Sequence, residues 1–106
     1  MSLFDIRAHD GSRHFADLPE SRSWSALQRH LRKLPGVAIT NVISDGFTEV
    51  WIDFTLEGHE FSINNQFGEY WFFVRDPGCK DQVLESVVSH CVLLLGSSKA
   101  RGAAPN

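Results

Sequence analysis

Long apolar runs are missing from this chain. The segment Cys91-Val92-Leu93-Leu94-Leu95 is five residues long, against the roughly 20 that a membrane-spanning helix needs. The opening "MSLFDIRAHD" has no basic stretch followed by an apolar one, as a secretory signal would. These two absences predict a cytoplasmic chain with no membrane partner. Cysteine is scarce as well: Cys79 and Cys91 are the only two. They sit twelve positions apart in one predicted helix, roughly 18 Å along its axis, which is beyond disulfide reach. A reducing compartment follows naturally. The five histidines show none of the spacings of a zinc site, with His9 and His14 in a predicted loop and His30 and His90 on predicted helix surfaces. There is no G-x-S-x-G, no glycine-rich phosphate loop and no P-loop lysine. No metal and no cofactor are expected.

Basic residues are missing from the middle of the chain. Residues 37–78 carry seven acidic side chains and only Arg75, a formal charge of −6, while 1–36 carry +2 and 79–106 carry +1. A segment so acidic repels phosphate, so nucleic acid is not expected as a partner.

What is present is ordinary globular material. The 106 residues, 42% hydrophobic and 22% charged, suit a single domain able to bury roughly 65% of its unfolded surface. Residues 1–20 read as an irregular N-terminal segment with a short strand signal, "LFDI", followed by Gly, Pro and Asp punctuation. Ser21 or Ser23 caps a helix whose apolar face is Trp24, Leu27, Leu31 and Leu34, and Pro35-Gly36 stops it. Strand signals follow at 37–43, 47–56, 59–66 and 69–75, separated by Ser44-Asp45-Gly46, Glu57-Gly58 and Phe67-Gly68. A second helix runs to about Leu95 with Gly96 as its cap, along the stripe Val83, Leu84, Val87, Val88, Cys91, Leu94 and Leu95. The expected fold is therefore α+β: α-ββββ-α, a four-stranded antiparallel meander with both helices on one face. The domain is expected over 1–96, with a flexible tail over 97–106.

In the strand 47–56, Val50, Ile52, Phe54 and Leu56 alternate with Glu49, Trp51, Asp53 and Thr55. A two-residue Glu57-Gly58 turn sets Phe54 against Phe61 and Ile52 against Ile63, and a slip of one residue would destroy that match. Trp51 then lies opposite Asn64, and Asp53 opposite Ser62, on the face away from the helices. The next hairpin has two registers. A two-residue Phe67-Gly68 turn sends Trp71 and Phe73 to that open face but needs a positive φ at Phe67. A three-residue loop with a glycine bulge sends Tyr70, Phe72 and Val74 there instead.

Either way, large rings surrounded by polar groups occupy the uncovered face, a composition typical of recognition surfaces. The candidate binding residues are Trp51, Asp53, Asn64, Gln66, Trp71 and Phe73. The competing reading is that the N-terminal segment covers this face. In outline the α-ββββ-α order resembles that of many small bacterial adaptor, chaperone and toxin-immunity proteins, a likeness of architecture that implies little about function. The expected function is a non-enzymatic protein-interaction module, with a basic protein partner or a second copy on the open face. The alternative is a small thiol enzyme or redox protein using Cys79, placed at a helix N-terminus beside Lys80 where a thiol pKa is lowered.

Overall fold

The structure, a computed structural model, describes residues 3–45 and 49–97. Among these residues, six strands and two helices follow in the order β1 (Ile6–Arg7), β2 (Arg13–Pro19), α1 (Trp24–Leu31), β3 (Ala38–Ser44), β4 (Val50–Leu56), β5 (His59–Gln66), β6 (Glu69–Val74) and α2 (Asp81–Leu95). The α+β class stands, with one antiparallel sheet. Its topology is larger than the four-stranded expectation: the spatial order is β1-β2-β6-β5-β4-β3. The meander of four strands is present, and the segment expected to be irregular, residues 1–20, adds two more.

The reason β2 is hard to read lies in a bulge. Its ladder with β6 runs Arg13↔Val74 and His14↔Phe73, then shifts register and resumes at Ala16↔Phe72, Asp17↔Trp71 and Leu18↔Tyr70. Phe15 packs edge-on against Phe61 and Phe72, so Phe15 and Ala16 both face the core. Two successive inward residues erase the period-2 pattern by which a strand is recognised. The N-terminal strands are also tied to the second helix. Arg13, buried, donates from Nε to the Phe4 carbonyl at 2.7 Å and from Nη1 to Asp81 Oδ1 at 3.0 Å.

The β4–β5 and β5–β6 hairpins both use two-residue turns. Leu56 pairs with His59, and Gln66 with Glu69. Glu57 (φ 52°) with Gly58 (φ 81°), and Phe67 (φ 51°) with Gly68 (φ 79°), supply the paired positive φ values of mirror-image turns. The β5–β6 register is therefore the one that turns Trp71 and Phe73 outward, despite the strain at Phe67. Sheet pairing on both sides of β6 outweighs it. The turn expected at Ser44-Asp45-Gly46 lies partly outside the described residues, and so does the expected tail from residue 98 on.

Every even-numbered residue from Val50 to Leu56 and from Tyr70 to Val74 is buried, and Leu27, Leu31, Leu84, Val87, Val88, Cys91 and Leu95 of the helices join the same core. Ser23 caps α1, accepting from the Ala26 amide at 3.2 Å. Gly96 (φ 85°) ends α2. The helices lock together through two histidines: the rings of His30 and His90 stack at 3.9 Å, and each Nε2 lies 2.5 Å from the other's backbone carbonyl. Both residues are half-buried in this contact rather than on the free helix surfaces expected of them. No helix among the described residues is long and apolar enough to cross a membrane.

Candidate functional site

The face of the sheet turned away from the core carries all six of the candidate binding residues. β4 supplies Trp51 and Asp53, β5 supplies Asn64 and Gln66, and β6 supplies Trp71 and Phe73. Trp51 and Trp71 both lie directly opposite Asn64, and Phe73 is opposite Ser62. Pleating alone places them together once the two hairpin registers are set.

Their surroundings then divide them. β2 lies beside β6, and His14 slots its ring between Trp71 (centroids 4.8 Å, 19°) and Phe73 (4.9 Å, 27°), with Phe4 edge-on at 5.4 Å. The His14 Nε2 pairs with the Asp17 carboxylate beneath it. Trp71 and Phe73 are half-buried as a result, so the N-terminal segment does cover the β6 side of the face. Trp51 remains uncovered, 42% exposed, with Ile43 of β3 beside it in register.

Trp51 stands between two depressions. One, of about 750 Å³, lies between the β1–β2 connection and β4; Asp10, Thr40, Trp51, Asp53, Ser62 and Phe73 are among its lining residues, with Glu60 and Arg75. The other, of about 460 Å³, is lined by Ile43, Asp45, Glu49, Trp51, Asp53, Asn64 and Gln66 among others. Trp51 and Asp53 belong to both. Among the described residues, five carboxylates, those of Asp10, Asp45, Glu49, Asp53 and Glu60, therefore face the two depressions, against one guanidinium, Arg75. Arg75 sits 3.6 Å from Glu60 in an exposed pair that screens little. Hydrogen bonds from the Ser12 hydroxyl and amide hold the Asp10 carboxyl below its usual pKa, so it stays charged. Asp53 Oδ1 accepts from the Ser62 hydroxyl at 2.7 Å, which fixes its orientation.

Two buried polar atoms on this face have no partner among the described residues: Asn64 Oδ1 and Trp71 Nε1. One is an acceptor, the other a donor, and their residues face each other directly across the β5–β6 ladder. The strain at the hairpin tip has a different character. Phe67 holds a left-handed backbone conformation while its side chain is 91% exposed, with Trp71 at 6.3 Å as its only ring neighbour among the described residues. No burial repays that conformation.

The other candidate behaves differently. Cys79 precedes α2 but is buried, and burial pushes its thiol pKa up, with the Asp76 carboxylate adding to the rise and Arg13 opposing it. The direction is the reverse of the lowering that a helix N-terminus and Lys80 suggest, because desolvation of the thiolate dominates. Cys91 is completely buried in α2, and its thiol is pushed up to about 12.

Sequence reasoning missed His14 and Asp17, hidden in the bulged strand, and Phe67, read only as a turn residue. It also missed Ile43, whose exposure depends on β3 being the last strand of the sheet. No protein-family model, no curated protein and no solved structure matches this chain.

Proposed function

We propose that this chain is a protein-interaction module rather than an enzyme, and that it docks a basic segment of a partner protein across the Trp51 ridge. The observation carrying the reading is the exposed indole of Trp51 standing between two carboxylate-lined depressions. An exposed tryptophan supplies apolar contact area and attracts cations over its ring face, worth about 0.5–1 kcal/mol per contact at an exposed site. The surrounding carboxylates add long-range attraction for Lys and Arg and disfavour phosphate-bearing ligands. Phe67 supports the same reading: a strained, solvent-facing ring at the end of this sheet is a feature that folding does not require.

The test is a tryptophan-fluorescence titration of the full chain with basic, neutral and acidic peptides of equal length. Basic peptides should change the emission of the wild-type protein, and the change should be lost in Trp51→Ala and weakened by added salt. Trp51→Ala should keep the wild-type circular dichroism and unfolding midpoint. Loss of the fold in that variant would make the ring part of the core and remove the proposal, as would an equal response to all three peptides.

A further inference from the structure

Of the two unpartnered buried atoms on the sheet face, one belongs to an open depression. Asn64 is 4% exposed, its Oδ1 has no partner among the described residues, and it lines the 460 Å³ depression with Glu49, Trp51, Asp53 and Gln66. The other atom, Trp71 Nε1, lines neither depression. A buried acceptor without a donor is costly, and folding of this chain leaves the cost standing. Asn64 lies in register between Trp51 of β4 and Trp71 of β6, and the two indoles are held differently. Trp71 is pinned by its stack on His14. Trp51 is 42% exposed and has no ring neighbour among the described residues. Exposed side chains change rotamer within nanoseconds, so a swing of Trp51 opens Asn64 to the depression.

We infer that this corner is an arginine pocket: a guanidinium of the docked segment stacks on the Trp51 indole and donates to Asn64 Oδ1 and the Asp53 carboxylate. The inference rests on the docking of a basic segment proposed above and names the residue that anchors it. An open acceptor calls for an N–H or O–H donor, which a fully methylated ammonium lacks. The neighbouring carboxylates of Glu49 and Asp53 favour a donor that is also charged. Asp53 is the diagonal neighbour of Asn64 on the β4–β5 ladder, since Trp51 faces Asn64 and Asp53 faces Ser62. Two acceptors set apart in this way suit a planar fork of five donors, which can serve both while lying flat on an indole. A lysine ammonium brings the charge as a point, without the plane. The acceptor side is already ordered: the Ser62 hydroxyl donates to Asp53 Oδ1 at 2.7 Å, so binding has less to immobilise.

The experiment titrates the full wild-type chain with three peptides of equal length, sequence and charge, whose basic residues are all Arg, all Lys or all trimethyllysine. Calorimetry reads the affinities, and nitrogen-proton NMR follows the side-chain amide of Asn64. The Arg peptide should bind at least about tenfold more tightly than the Lys peptide, and the Lys peptide more tightly than the trimethyllysine one. The Asn64 side-chain resonances should move on saturation with the Arg peptide. Asn64→Leu, which keeps the volume and removes the acceptor, should cut the Arg preference to about threefold or less. Equal affinities for Arg and Lys, or trimethyllysine bound as tightly as Lys, overturn the arginine pocket while the docking of a basic segment stands. An Arg preference undiminished in Asn64→Leu overturns it as well. Should that variant fail to fold, the wild-type spectrum decides, because an Asn64 side chain unmoved at saturation also overturns it. Binding of none of the three peptides removes the pocket and the docking reading together.

Discussion

Phe67→Asn is expected to make this protein more stable, although it removes a large aromatic side chain. The wild-type turn holds Phe67 at φ 51°, a left-handed conformation that costs an L-residue roughly 1–2 kcal/mol. Asn tolerates that region, and Asn-Gly is the pair that mirror-image two-residue hairpins favour. About 1 kcal/mol of strain is therefore recoverable. Against it stands the loss of the ring, but Phe67 is 91% exposed and so buries almost no area. Its one ring contact among the described residues, to Trp71 at 6.3 Å and a 51° tilt, is solvent-exposed and so worth about 0.5 kcal/mol, the low end for aromatic pairs. The balance is a gain of about 0.5–1 kcal/mol, which for a domain of this size raises the unfolding midpoint by about 2–6 °C. Thermal and urea unfolding measure it directly. Glu57→Asn is the matched control, since Glu57 occupies the same position of the other hairpin at φ 52° and is also exposed. Both variants should gain stability, and only Phe67→Asn should weaken binding of basic peptides. A lowered midpoint in Phe67→Asn would refute the argument, because the exposed ring would then be holding the hairpin together.

Two further outcomes concern the thiols. Because Cys79 is buried and its pKa is raised, a thiol reagent at pH 7 should label it more slowly than free cysteine; faster labelling would restore the thiol-chemistry alternative. Cys91 makes stability depend on alkaline pH. Its thiol, ordinarily near 9, is pushed up to about 12 in the folded chain, so between those values the unfolded chain releases a proton that the native chain keeps. Its contribution is complete below about pH 9 and is lost as pH rises toward 12, by about 1.4 kcal/mol per pH unit at the steepest. Urea unfolding between pH 8 and 10.5 should show a shallower decline in Cys91→Ala than in the wild type, and equal slopes would contradict this account.

Much of the fold is legible because the meander obeys local rules. The alternation of Val50, Ile52, Phe54 and Leu56 fixes which face is buried. A Glu57-Gly58 turn of two residues then forces Phe54 against Phe61, as the ladder shows. The helix bounds follow from Ser23 and Gly96 for equally local reasons. The same periodicity placed Trp51, Asp53, Asn64 and Gln66 on one face, so the composition of that face was readable before any tertiary contact was known.

Three features depended on contacts between distant residues. At Phe67 the local preference and the sheet register disagree, and pairing along the whole of β6 outweighs one strained residue. In β2 the bulge hides the strand, and only the neighbouring β6 reveals that Arg13–Pro19 is one. That pairing brings His14 between Trp71 and Phe73, a contact across roughly sixty residues that no spacing rule encodes. It also determines which rings remain accessible: β2 covers the rings of β6, while β4, lying away from it, leaves Trp51 exposed. The sequence by itself determined the acidic, aromatic character of the sheet face, because side-chain alternation is a local property. Which of those aromatics meets solvent was decided only by the strand order, because burial depends on what packs alongside.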